Sequence, residues 1–188
     1  NVIDCVECGF KHVHPYPNDE VLEKIYSEEY YTRDKPNYIS EYQKDRDWWN
    51  LVYDYRYNIF SDLIKKENKS ILDIGSGPGH FLLEGQKKGW FVHGLEPNVD
   101  AYNYSKNDLN LNITKSFYNI GTRFEKKYDV INLGEVLEHL NNPKIFIEDL
   151  VKNLNNGGLI SIIVPNDFNP FQMIVNENCN NKDWWILP

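Results

Sequence analysis

Residues 71–80, ILDIGSGPGH, constrain this chain more than any other stretch. An apolar run breaks into Gly75, Gly77 and Gly79, and PGHFLLEGQKKGW (78–90) then reads as a helix closed by Gly89. A strand that turns into a helix over glycines lets the backbone approach a ligand and aims a helix N-terminus at it. The change of period repeats downstream. FVHGLEP (91–97), LNIT (111–114), KYDVINLGE (127–135) and LISIIVP (159–165) read as strands. NVDAYNYSKN (98–107) and NPKIFIEDLVKNLNNGG (142–158) read as helices, the latter with Pro143 in its first turn. Strands alternating with helices of this length predict βαβ crossovers and a parallel sheet covered by helices on both faces. The fold class is α/β, Rossmann-like and doubly wound.

Two acidic residues sharpen the glycine turn. Asp73 precedes Gly75 by two positions, and Glu96 closes the second strand 96 − 75 = 21 residues after it, where an acid takes a ribose diol. A dinucleotide fold wants G-x-G-x-x-G, but position 80 is His. Pyrophosphate at a helix N-terminus also has little use for the charge of Asp73. A cofactor carrying its own ammonium group has a use for it, and S-adenosylmethionine is such a cofactor.

ILDIGSGPGHFLLEGQKKGWFVHGLEPN resembles the first motifs of class I S-adenosylmethionine-dependent methyltransferases, and YDVINLGEVLEHLNNP and LNNGGLISIIVPN resemble the later ones. The resemblance spans residues 70–166. It implies a seven-stranded sheet whose last strand is antiparallel, with the cofactor across the carboxyl ends of strands one, two and four. Carried over position by position, Asp73, Gly75, Gly77 and Gly79 line the methionine end, and Glu96 holds the ribose with Asn98 beside it. Ser116 and Phe117 fall at the adenine, where Ser116 replaces a common Asp, and Leu133 and Gly134 back the sulfonium. Too few residues follow the fifth strand to supply the family's last helix and strands, so the C-terminal sheet edge is expected to be missing.

GEVLEHL (134–140) gathers Glu135, Glu138 and His139. Three readings stand side by side: an acidic helix start favoured by the dipole, His139 as a general base, or a divalent ion such as Mg held by all three. The E-x-x-E-H pattern is similar to that of ubiquinone-pathway O-methyltransferases and plant small-RNA 2′-O-methyltransferases, which use a divalent ion.

Cys5 and Cys8 have zinc-knuckle spacing, and a structural zinc needs four ligands. The segment resembles half of a small zinc ribbon found before some bacterial methyltransferases of sugar pathways, with the other pair upstream. A local site completed by His12 and His14, and thiols without metal, also remain open. Cys179 reads as structural. The expected organisation is a partial zinc-ribbon-like segment (1–17, irregular), a helical cover (18–68), the cofactor-binding core (69–166) and an incomplete C-terminal segment (167–188). In the cover, NDEVLEKIYSEEYY (18–31) is a capped helix and 38–67 a long amphipathic helix, or two with a bend. Its aromatics (Tyr26, Tyr30, Tyr31, Tyr42, Trp48, Trp49) are expected to pack toward the open end of the sheet, with Tyr30 or Tyr31 touching ligand.

The net charge of −8 argues against a nucleic-acid grip made by a general basic surface. No apolar run has the length of a membrane span, and a cytoplasmic setting is the default expectation. The resulting reading is methyl transfer to a small-molecule acceptor, a hydroxyl or sugar group, by a bacterial-type enzyme of unknown oligomeric state. The alternatives are a nicotinamide-dependent oxidoreductase and a non-catalytic module that binds S-adenosylmethionine.

Overall fold

The computed structural model describes residues 44–166 without a break, together with 2–4, 6, 11–13, 15, 17–27, 42, 169–171 and 174. The expectations for Cys5, Cys8, His14, Tyr30, Tyr31 and Cys179 fall outside these residues, and His12 is described only as part of a strand. The C-terminal sheet edge also lies outside them.

The N-terminal segment is not irregular throughout. β1 (Val2–Asp4) pairs antiparallel with β2 (Lys11–Val13), a short hairpin around the Cys5–Cys8 spacing. α1 (Asp19–Lys24) starts at Asn18, whose side chain accepts from the Val21 amide, the interaction that makes Asn a favoured N-cap. α2 (Arg46–Leu63) follows.

The five-stranded sheet contains β3 (Ser70–Ile74), β4 (Phe91–Leu95), β5 (Ile113–Thr114), β6 (Tyr128–Gly134) and β7 (Leu154–Ile163), in the order β5-β4-β3-β6-β7. Every pairing is parallel. β7 begins five residues earlier than the sequence suggests. After α5 (Pro143–Leu150) a single 3-10 turn at Val151–Asn153 ends the helical stretch, so the Asn-Asn-Gly-Gly run enters the strand. Its pairing with β6 shifts register there, with Gly157 at φ +74°. Glycine tolerates that conformation, which an irregular strand entry requires.

Side chains alternate across the sheet because strand residues alternate faces. Ile71 and Val130 join Tyr57 and Phe60 of α2, Phe81 and Leu82 of α3 (His80–Lys87), and Trp90. Leu72, Ile74, Ile131 and Leu133 join Phe146 and Leu150 of α5 on the other face. Each fully buried side chain of this size contributes about 1.5–3 kcal/mol. Thus α2 covers a face of the sheet rather than its open end, and Trp48 at its start is 63% exposed. Gly85 sets how closely α2 and α3 approach, because a Cβ there would overlap the Tyr57 ring. Gly89, at φ +78°, ends α3 with the Trp90 amide donating back to the Gly85 carbonyl, the arrangement that closes helices with glycine.

Candidate active site

The order of strands reverses between β3 and β6, since the chain runs outward to β4 and β5 and then returns to the other side of β3. Ligands of open parallel sheets bind in the crevice at the carboxyl ends of the strands at such a point. The glycine turn stands there. Gly75, Gly77 and Gly79 all have positive φ, at 68°, 53° and 82°. A Cβ on Gly75 would strike Val136, and one on Gly79 would strike Leu111 and Ser105. Gly75 and Gly79 therefore leave no room for a side chain, and the backbone conformation favours glycine at all three positions.

Glu96 clamps this glycine cradle. Its Oε2 accepts from the Gly77 amide at 2.7 Å and its Oε1 from the Asn98 amide at 2.8 Å. Burial pushes its carboxyl up to about 7, against the two amides, which lower it, while Asp73 raises it further. A carboxylate has about four lone-pair sites, so these two bonds leave capacity for a diol. Asn98 is buried and caps α4 (Val99–Asn103), accepting from the Asp100 and Ala101 amides, and its Nδ2 donates to the Ser27 carbonyl of the cover. Ser116 and Phe117 lie half-buried just past β5, beside β4 because the Glu96 amide donates to the Thr114 carbonyl.

Asp73 lies beneath the turn. Its Oδ1 accepts from Asn132 Nδ2 at 2.7 Å, and Arg56 Nη2 donates to Asn132 Oδ1 at 2.5 Å. Burial pushes the Asp73 carboxyl up to about 7, although Asn132 and Arg56 pull it down. Sequence reasoning missed both partners. The signal for Asn132 was a polar residue in the apolar run of β6, whereas nothing local marks Arg56. His80, the residue that broke the dinucleotide pattern, stacks on Tyr42 with ring centroids 3.6 Å apart and meets Tyr104 edge-on. Burial lowers its pKa to about 4, with Lys87 adding to the effect, and its Nε2 is buried with no hydrogen-bond partner.

Leu133 is buried at the end of β6 and Gly134 follows it half-buried. The Glu135–His139 stretch is not the expected helix. Glu135 is exposed and adopts φ +57°, its amide donating to the Ile163 carbonyl. A 3-10 turn at Leu137–His139 comes next. A non-glycine residue in the left-handed region is strained by about 1–2 kcal/mol, and such strain gathers at functional sites. Glu138 and His139 are neighbours, Oε1 to Nε2 at 3.8 Å, and the His139 ring lies 5.2 Å from that of Tyr26. Burial lowers the His139 pKa, which favours the neutral imidazole. Among the described residues no group of three His, Cys, Asp or Glu side chains is arranged to hold a metal ion. Nor is any described helix long and apolar enough to cross a membrane.

Parallel strands in this order, with an acid-clamped glycine cradle at the switch point, define a protein built to hold a nucleotide-type cofactor. The chain belongs to the methyltransferase domain family, whose model matches residues 42–186, and it is a member of the class I S-adenosylmethionine-dependent methyltransferases. It is 27% identical to the ubiquinone biosynthesis O-methyltransferase of Coxiella burnetii over 127 residues, 60% of this chain and 54% of that protein. It is 28% identical to the protein of the same description from Rickettsia bellii, covering 67% of this chain and 60% of that one. The tRNA U34 carboxymethyltransferase of Nautilia profundicola is also 28% identical, over 72% of this chain and 47% of its own. The plantazolicin methyltransferase BpumL, solved with a pentazolic desmethylPZN analogue and SAH, superposes with a TM-score of 0.60 at 25% identity, covering 78% of this chain and 59% of that one. The chain thus spans about half the length of the curated relatives it matches.

Proposed function

We propose that this protein transfers the methyl group of S-adenosylmethionine to a hydroxyl of a small-molecule acceptor, with residues 69–166 as the cofactor-binding core and 18–68 as its cover. The observation that carries the reading is the cradle: three positive-φ glycines, two of which a Cβ would jam, flanked by two buried carboxyls. These residues fit the cofactor. Asp73 lies below the turn for the ammonium of the methionine end, and Glu96 stands at the end of β4 for the ribose. Asn98, Ser116 and Phe117 extend the same side toward the base. Leu133 and Gly134 bring the backbone of β6 to the reacting end. When bound, S-adenosylmethionine supplies an electrophilic methyl on a sulfonium, so the protein's work is to position it and exclude water.

His139 then takes the acceptor's proton as the acceptor oxygen gains the methyl. Its neutral, partly buried imidazole suits that step, and Glu138 beside it steadies the imidazolium that forms. The divalent ion expected on Glu135, Glu138 and His139 is not part of this reading, because the exposed, left-handed Glu135 does not join the other two in a ligand set. Cys5 and Cys8 remain the ligands of a structural zinc. Tyr26 and Ser27 reach His139 and Asn98, and we assign ligand contact to Tyr30 or Tyr31, a few residues further along the sequence. The acceptor is a small molecule rather than RNA because the chain carries a net charge of −8, although one relative is named for a tRNA base. The relatives from Coxiella and Rickettsia support a bacterial-type enzyme, and we place it in the cytoplasm.

Thermal denaturation tests the reading directly. S-adenosylhomocysteine at a hundredfold excess over its Kd stabilises by about 2.7 kcal/mol and raises Tm, whereas NADH does not. A chain indifferent to S-adenosylhomocysteine would overturn the reading, and a shift with NADH alone would replace it with the oxidoreductase.

A further inference from the structure

Three polar residues interrupt the apolar layer of the central sheet, and they form one row. Asp73 of β3 is in register with Asn132 of β6, and Asn132 is in register with Ser161 of β7. Arg56 descends on this row from α2. Its Nη2 donates to Asn132 Oδ1 at 2.5 Å and to Ser161 Oγ at 3.0 Å, while its guanidinium lies 4.4 Å from the centre of the Phe81 ring. Asn132 Nδ2 completes the row by donating to Asp73 Oδ1 at 2.7 Å.

The order of donors along this row is dictated by chemistry. A guanidinium has donors and no acceptor, so it can meet only the oxygen end of the Asn132 amide. The NH2 end is then committed to Asp73. An NH2 group satisfies an ionised carboxylate, whereas the amide oxygen would satisfy only a protonated one. Without Arg56 the amide is free to turn over, and burial then favours the neutral acid.

We propose that Arg56 is a positioning residue: by fixing the polarity of the Asn132 amide it favours the ionised form of Asp73 over the neutral acid and holds the carboxyl in place beneath the glycine turn, where the cofactor's ammonium completes its ionisation. The proposal rests on the cofactor reading above and assigns that reading a residue far from the turn in sequence. The groups facing Asp73 are Arg56 and Tyr57 from α2, Asn132 from β6 and Glu96 from just past β4. Arg56 is the cation among them. Tyr57 is neutral, since burial, with Asp73 contributing, raises its pKa well above the ordinary value. Glu96 is the opposing charge, so its ionisation adds to the demand on Arg56.

The test is the titration of Asp73, followed by carbon NMR of its carboxyl in the wild-type chain, Arg56→Met and Arg56→Lys. The midpoint is expected near the wild-type value of about 7, and Arg56→Met should raise it by about one pH unit. Arg56→Lys keeps the charge without the fork and should recover part of that rise. Binding of S-adenosylhomocysteine by calorimetry should weaken about fivefold at pH 7 in Arg56→Met, and the two curves should converge near pH 9. A general loosening of the fold would weaken binding equally at every pH. Asn132→Thr breaks the same relay from the other end, so it reads the proposal if Arg56→Met does not fold. An unchanged Asp73 midpoint in a folded variant overturns the proposal. A wild-type chain that fails to bind S-adenosylhomocysteine sinks the cofactor reading instead, and the carboxyl titration still decides the relay.

Discussion

Asp73 and His139 carry opposite electrostatic demands. Burial raises the Asp73 carboxyl to about 7, so the folded chain holds a proton that the unfolded chain releases near pH 4. Stability from this group therefore falls as pH rises from about 4 to about 7, and it is flat above. Asp73→Asn removes that cost, so it should raise the stability of the ligand-free protein at pH 8 by on the order of 1–3 kcal/mol, read by chemical denaturation. The same substitution should abolish the Tm shift with S-adenosylhomocysteine. A gain in stability coupled to loss of binding is the mark of a charge kept for a ligand. For His139 the sign is reversed. Its pKa is lowered by burial, so the neutral form required of a base is complete at neutral pH. Activity should climb with pH below the ordinary histidine range and then level off. His139→Gln should lower kcat by about 10²–10⁴-fold and leave S-adenosylhomocysteine affinity within about twofold. A comparable loss of affinity would make the residue part of the cofactor site.

At the level of elements, the β3–α3 turn and the end of α3 offer a controlled comparison. Gly79 and Gly89 both have positive φ, at 82° and 78°. A Cβ on Gly79 collides with Leu111 and Ser105, whereas one on Gly89 meets nothing. Gly89→Ala should cost about 1 kcal/mol from backbone strain alone with no effect on ligand binding. Gly79→Ala adds a collision to the same strain and should cost about 2–4 kcal/mol, with S-adenosylhomocysteine binding lost. Equal costs in denaturant melts would show that the turn is not a fitted cradle. The same logic explains why GEVLEHL is not a helix. Glu135 is drawn into the left-handed region by the bond from its amide to Ile163 of β7. Only one 3-10 turn forms before Pro143 starts α5.

For the whole molecule, the loop between β5 and β6 is tied to α5 by one buried carboxylate. Asp149 accepts from the Gly121 amide and the Tyr118 hydroxyl, both at 2.8 Å, and pairs with Arg123 and Lys152. Arg123 leads the interactions that hold its pKa well below the ordinary value. Its contribution is present above about pH 4 and is lost as pH falls below that range. Asp149→Ala should cost on the order of 2 kcal/mol at neutral pH, chiefly through the Gly121 amide left without a partner, since both cations are half-exposed and screened. The difference from wild type should shrink in acid. A constant difference from pH 7 to pH 3 would assign the loss to packing instead.

The sequence by itself determined the periodic part of this protein. Ile71, Leu72, Gly75, Gly77 and Gly79 specify a strand, a turn and a helix through side-chain size and backbone freedom, which are local properties. Repetition of that unit sufficed for a parallel sheet with its crevice at the carboxyl ends. Glu96 was legible for the same reason, because its spacing from Gly75 is set by one βαβ unit. Local pattern failed where a bond to a distant strand overrode it, as at Glu135, and where a glycine pair continued into β7 instead of ending a helix. Only the tertiary structure tied Asp73, through Asn132, to Arg56, and Arg56 in turn to Asn132 and Ser161. They are 76 and 105 residues from Arg56 along the chain, and a hydrogen bond across such separations leaves no periodicity to read. The physical reason is that a parallel sheet fixes register between strands far apart in sequence, so its polar rows exist only once the strands have paired.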